Sequence, residues 1–164
     1  MAVDAASLTG WVREFARQIA ANARYLTDLD AAIGDADHGL NMDRGMHAVL
    51  ARLDHPADPA GVCKLVATAL ISSVGGAAGP LYGTFFLRMG AALGAAPSVA
   101  NQEFASSLRA GVEGVAQRGK AEPGDKTMLD ALFPAVDALD AALAAGAELP
   151  EALRRAAAAA AGGR

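Results

Sequence analysis

The stretch TGWVREFARQIAANARYLTD, residues 9 to 28, places Trp11, Phe15 and Ile19, with Val12 and Ala16, three and four positions apart. Arg13, Glu14, Arg17 and Gln18 fill the places between them. Apolar residues recurring at that period share one face of an α-helix, so the segment predicts an amphipathic helix with one stripe buried and the other solvated. It runs straight at a loop dense in acid and glycine, Leu29-Asp30-Ala31-Ala32-Ile33-Gly34-Asp35-Ala36-Asp37-His38-Gly39-Leu40-Asn41.

Helical periodicity extends through the rest of the chain. A second helix is expected from Asn41 to about Leu53, ending before His55-Pro56-Ala57-Asp58-Pro59, where two prolines forbid continuation. A third runs from Ala60 to Ser73. After the break Val74-Gly75-Gly76-Ala77-Ala78-Gly79-Pro80, a fourth covers Leu81 to Leu93, with Pro80 suited to its first turn because the missing N–H has no partner there. A fifth follows from Asn101 to about Gln117, and a sixth from Thr127 to about Ala145. Pro150 opens a seventh that runs into the Ala156–Ala161 tract, alanine being the best helix former. No strand and no internal repeat is predicted.

Composition agrees. The chain is 53% hydrophobic, much of it alanine, and only 5% aromatic, which favours helices packed closely through small side chains. Its 164 residues suit one domain with a full-sized core. The expectation is an all-α, single-domain protein spanning 1–164.

The same numbers exclude whole classes of function. A net charge of −4 with scattered Lys and Arg leaves no basic stripe for nucleic acid. Every apolar stretch is broken by Gly, Pro or charge before it could span a bilayer, and MAVDAASLTG has neither a basic nor an apolar leader region. Cys63 stands alone among Val62, Leu65 and Val66, reading as a small buried hydrophobe. A cytoplasmic protein without membrane attachment is expected.

Three loops carry chemistry. Asp30, Asp35 and Asp37 put three carboxylates within eight residues, bent around glycines, and such groups repel one another unless a cation or strong donors compensate. Mg²⁺ bound to phosphates takes one or a few carboxylates and leaves the rest of its octahedral shell to phosphate and water, a demand this triplet matches. Singly, each aspartate is equally a turn former or a cap, Asp37 standing where it could cap the second helix. An EF-hand is ruled out, because its bidentate acid would fall at Met46. His38 is read as a nucleotide contact ahead of a catalytic base.

The second loop, Ser72 to Pro80, is glycine-dense just before a helix start, where free backbone N–H groups can cradle an anion. By itself it is equally a tight helix connection. In the third, Gly114-Val115-Ala116-Gln117-Arg118-Gly119-Lys120-Ala121 follows the spacing of a Walker A motif until Ala121 replaces the required hydroxyl, and no strand precedes it, so a P-loop is rejected. What remains, Gly119 to Met128, reads as a polar loop ending in a helix start capped by Asp125, with Met128 able to lie against an adenine ring.

Taken together, IGDADHGLNMDRG (33–45), SSVGGAAGPLYGTFF (72–86) and RGKAEPGDKTMLDAL (118–132) resemble the nucleotide-binding L subunit (DhaL) family of dihydroxyacetone kinases over essentially the whole chain. The resemblance implies an up-and-down antiparallel barrel of helices holding ADP or ATP and two Mg²⁺ at one end. Asp30, Asp35 and Asp37 would ligate the metals. His38, Gly39, Leu40, Asn41, Ala77 and Ala78 would touch phosphates and ribose, and Gly119 and Met128 would line the adenine pocket.

With no fused substrate domain in the sequence, the resemblance is to the phosphotransferase-dependent bacterial type, active in glycerol metabolism. There ADP acts as a coenzyme, recharged by a phosphohistidine on an M subunit and discharged to dihydroxyacetone held by a K subunit. No catalytic nucleophile is required of this chain. Two rival readings are an ATP-using L domain of a dihydroxyacetone or related kinase, such as the fatty-acid type, and a non-catalytic regulatory module.

Two features depart from the family. Ala78 stands where its Gly-Gly-Ala-Ser-Gly loop has serine, removing a hydrogen bond worth roughly 0.5–1.5 kcal/mol. The sequence also stops at Gly162-Gly163-Arg164, inside the expected seventh helix and before the family's arginine-bearing lid and Asp-Pro-Gly segment. A truncated C-terminal part, or an open nucleotide site, is therefore expected.

Overall fold

The computed structural model describes residues 2–32, 34–54 and 56–163; Ile33 of the acidic loop, His55 of the proline turn and the terminal Met1 and Arg164 lie outside them. Seven helices follow one another: α1 (Ala5–Asp30), α2 (His38–Leu50), α3 (Pro59–Ser73), α4 (Ala78–Leu93), α5 (Asn101–Gly119), α6 (Leu129–Ala144) and α7 (Leu149–Gly162). The all-α expectation holds, with one correction. Val3–Asp4 (β1) pairs antiparallel with Ser98–Val99 (β2), a two-residue ladder that periodicity could not reveal because alternation shows only over about four residues or more.

Helix ends depart from expectation by a few residues, and caps explain several of them. Asp4 accepts the Ser7 N–H at 2.8 Å, starting α1 at Ala5, four residues before the expected residue 9. Asp58 does the same for α3 through Gly61 N at 2.7 Å, with Pro59 in the first turn. Pro80 sits in the first turn of α4 as expected. Pro134 lies inside α6, where it deprives only the Asp130 carbonyl of its usual donor. Against that carbonyl packs the Cα of Gly163, just past α7.

Each helix packs on the next in the chain, α1 to α7, in an up-and-down order. Residue pairings show the alternation: as α3 descends from Cys63 to Ile71, its partners on α4 run from Gly90 back to Gly83. On α1, Val12, Ala16 and Ile19 of the stripe read from sequence are buried, with Leu8 ahead of them, though Phe15 is half-buried and Trp11 keeps 39% of its surface exposed. Burial of Cys63 pushes its thiol up to about 12, so it behaves as a hydrophobe. No helix among the described residues is long and apolar enough to cross a membrane. The alternation brings the α1–α2, α3–α4 and α5–α6 connections, the three loops singled out above, to one end of the bundle.

Candidate functional site

Asp30 is the last residue of α1 and Asp37 immediately precedes α2, so the loop between them is a tight return that carries Asp35 at its crest. One carboxylate oxygen from each lies within 4.8 Å of the others. Asp30 is the anchored member. Its Oδ2 accepts N–H bonds from Asp37 at 3.0 Å and His38 at 3.3 Å, while its carbonyl accepts from Gly34 N at 2.6 Å.

Two glycines make this closure possible. A Cβ on Gly34 would overlap the Asp30 carboxylate. One on Gly39 would run into the Ala23 carbonyl and the Thr27 hydroxyl, so the first turn of α2 can seat directly on α1 only without a side chain there. Ala36 accepts a left-handed φ of +59° to complete the turn.

Asp37 holds the N-cap position of α2 but makes no side-chain capping bond. Its carboxylate turns instead toward Asp35. The hydrogen bond from Asp35 to Asp37, followed by the negative charges of Asp37 and Asp30, holds the Asp35 carboxyl above its ordinary value. Among the described residues no lysine or arginine pairs with any of the three. Three converging hard oxygens, one on exposed Asp35 and two on half-buried Asp30 and Asp37, short of positive charge, fit a small divalent cation that keeps part of its shell for other oxygens.

The first turn of α2 joins this loop to the glycine loop. Buried Asn41 lies against Gly75, and its Oδ1 accepts from Arg44 Nη2, whose Nε donates to the Ser73 carbonyl at 3.3 Å. Gly76 takes φ +64°, and α4 starts at Ala78 with Ala77 as an N-cap lacking any side-chain bond. The first intrahelical bond there is Leu81 N to Ala77 O at 3.1 Å, so the N–H groups of Ala77, Ala78 and Gly79 precede the helix ladder and point out of its positive end. In α2, the His38 N–H goes to Asp30 and the Asn41 N–H to Asp37 O, leaving those of Gly39 and Leu40 ahead of the ladder.

The third loop lies beside the second, since Gly119, at the end of α5, packs next to Leu81 of α4. Met128 forms part of an apolar cavity of about 210 Å³ with Trp11, Phe15, Tyr82, Phe85 and Leu132. Asp125 does not cap α6, contrary to expectation. Its carboxylate accepts from Glu122 N at 2.9 Å within the loop; the N-cap position is Met128, without a side-chain bond, and the residues that tie the helix start are Thr127 and Asp130, with Leu129 N on Thr127 Oγ1 at 3.2 Å and Thr127 N on Asp130 Oδ2 at 2.9 Å. Asp130 and Arg44 are the polar residues that sequence reasoning passed over. The Thr-x-x-Asp spacing signalled the first; nothing local signals the second.

All eleven residues singled out in the sequence thus lie in the three loops or in the helix turns that border them, at one end. Asp30, Asp35 and Asp37 converge; His38 to Asn41 with Ala77 and Ala78 surround two helix N-termini; Gly119 and Met128 flank the apolar side.

Comparison with known proteins supplies context for this geometry. The family model described as the DAK2 domain matches residues 32–164. The chain is 42% identical over 158 residues to the ADP-binding subunit DhaL of the PEP-dependent dihydroxyacetone kinase of Escherichia coli K12, spanning 95% of this chain and 75% of that one. It is 41% identical over 131 residues to the corresponding subunit of kinase 1 of Listeria innocua, spanning 79% and 66%. In structure it superimposes with a TM-score of 0.75, at 28% identity, on the dihydroxyacetone kinase of C. freundii solved with AMP-PNP and Mg²⁺, covering 97% of this chain and 29% of the other.

Proposed function

Because the chain belongs to the DAK2-domain family, we propose that it is the ADP- and Mg²⁺-binding subunit of a dihydroxyacetone kinase. The observation that carries this reading is the convergence of Asp30, Asp35 and Asp37 beside two helix N-termini, a site with hard anionic ligands on one side and N–H donors on the other. A nucleotide diphosphate with its cations complements both halves.

In this reading Asp30, Asp35 and Asp37 hold two Mg²⁺, which supply charge neutralisation at the phosphate oxygens during transfer. Asp30 is fixed by the Asp37 and His38 amides, so it presents one oxygen edge in a set direction and spends no entropy on ordering at binding. The N–H groups of Gly39, Leu40, Ala77 and Ala78, with the His38 and Asn41 side chains, receive phosphate and ribose. Gly119 and Met128 form the apolar wall for the base. Ala78 offers phosphate its backbone N–H alone.

No side chain of this chain serves as a nucleophile. The phosphoryl group enters from a phosphohistidine on an M subunit and leaves to dihydroxyacetone held by a K subunit, in the cytoplasm, and the chain acts as one DhaL-type domain over 1–164. A second reading, an ATP-using domain, is favoured by the likeness to a much longer kinase solved with AMP-PNP.

Calorimetry of the purified 164-residue chain tests the proposal. ADP binding that requires Mg²⁺ is expected; no ADP binding at millimolar Mg²⁺ would sink it. Retention of labelled ADP against excess ATP selects the coenzyme reading, and rapid exchange selects the second.

A further inference from the structure

We propose that Asp130 is a positioning residue for the base side of the nucleotide site, acting through the 120–128 loop; this rests on the reading above. Its carboxylate has two separate duties. Oδ2 accepts from Thr127 N at 2.9 Å, a local bond three residues back at the helix start, which by itself is only structural. Oδ1 accepts from Gly124 N at 2.6 Å, six residues back, and that bond has no part in capping.

The loop needs such a tether. Lys120, Gly124 and Lys126 all take left-handed φ values, of +51°, +98° and +57°, so the segment lies outside any repeating ladder. Its other internal bonds, Glu122 N to Asp125 Oδ2 and Asp125 N to Glu122 O at 3.2 Å, close a turn upon itself without joining it to a helix. The Gly124 bond joins that turn to the first turn of α6, directly beside Met128. Below it a small separate core of Val112, Val115, Leu129 and Val136 supports the wall, with Met128, Leu81 and Leu132 packed against it. Asp130 thereby sets where the loop stands between Gly119, at one end of the span, and Met128, at the other. The acidic loop has its own anchors and takes no bond from Asp130.

The consequence is a division of labour: metal affinity belongs to the Asp30 loop, base affinity to the loop Asp130 holds. In Asp130→Asn one carboxylate oxygen becomes an N–H₂ facing an N–H donor. In Asp130→Glu a carboxylate able to reach Thr127 N is kept, but the longer arm is displaced from Gly124. Both variants are expected to bind ADP about tenfold more weakly, which is ~1.4 kcal/mol. Mn²⁺ affinity, read by paramagnetic resonance without nucleotide, should stay at the wild-type value. Asp130→Glu should also keep the wild-type Tm.

Should Asp130→Asn fail to fold, Asp130→Glu carries the test. Wild-type ADP affinity in a folded Asp130→Glu chain overturns the proposal. So does a parallel loss of Mn²⁺ and ADP affinity, which would mark a general structural role. Failure of the wild-type chain to bind ADP would instead defeat the functional reading, before Asp130 is at issue.

Discussion

Asp137 and Asp140 on α6 crowd two carboxylates together much as Asp35 and Asp37 do in the α1–α2 loop, yet the two places end up with opposite electrostatics. Between the α6 pair stands Arg109 of α5, its Nη2 on Asp137 and its Nε on Asp140, both at 2.7 Å. Those bonds, the Asp137 one foremost, raise the guanidinium's already high pKa. In the loop the neighbour of a carboxylate is another carboxylate, and Asp35 is pushed up. A fold that neutralises one cluster with its own arginine and leaves the other short of charge accords with the proposal that the second takes a cation from solution.

Removing one charge from the unneutralised cluster should give the largest effect. Asp37→Asn keeps the shape and the backbone bond to Asp30 but takes away a hard anionic oxygen. Altering even a neighbour of a metal ligand typically costs 10–100-fold, so a ligand change should weaken Mg²⁺-dependent ADP binding by at least about 100-fold. Calorimetry reads this directly. The Tm of the metal-free protein should not fall, since repulsion is relieved. A variant that binds Mg²⁺-ADP normally would erase the distinction between the two clusters.

Much of this arrangement was legible before any coordinates. The 3.6-residue stripe from Trp11 to Ile19, the proline break after Leu53 and the glycine break before Pro80 delimit the first four helices, and the Arg118–Lys126 loop and Pro150 separate the later ones. Seven helices joined by short links then put alternate loops at one end. The convergence of Asp30, Asp35 and Asp37 was readable because the three sit on one turn. Other features were not, for a common reason: they are relations between distant segments. Gly39 matters through the Ala23 carbonyl, Arg44 through Ser73, and β1 through β2, some 95 residues away, and none leaves a periodic trace. Asp125 misled because an aspartate just ahead of a helical stretch is a good cap in general, whereas α6 starts only at Leu129, and Thr127 and Asp130 hold its first turn.

The neutralised cluster offers a smaller effect of a different kind. Arg109→Ala leaves Asp137 and Asp140 facing each other without a partner on α5. Arg109 and Asp140 are each 30% exposed at the side chain and Asp137 is 65% exposed, so solvent screens much of the interaction. A loss of about 1 kcal/mol in chemical denaturation is expected, shrinking in high salt. Mg²⁺-dependent ADP affinity should be unchanged. If it fell in step with stability, the α5–α6 cluster would belong to the site rather than to the scaffold.

The smallest effect is also the most diagnostic of a loop waiting for a cation. A carboxyl whose folded pKa lies above its unfolded one stabilises the fold below the unfolded value and loses that contribution as pH rises through the folded value. For Asp35 the loss therefore begins near pH 4 and grows upward in metal-free protein. Glu14, drawn down to about 2 by its bonds to Arg17 and Gln18, and Asp130 and Glu151, also lowered, slope the other way, so the wild-type curve alone hides the Asp35 contribution. Asp35→Asn isolates it. Without metal, the variant's Tm should match the wild type near pH 4 and exceed it slightly by pH 6. Millimolar Mg²⁺ should reverse that order at pH 7, because the cation stabilises only the chain that still carries its ligand. Parallel curves in both conditions would mean that the crowding at Asp35 is relieved within the chain, and that the loop, like the α6 pair, is already balanced.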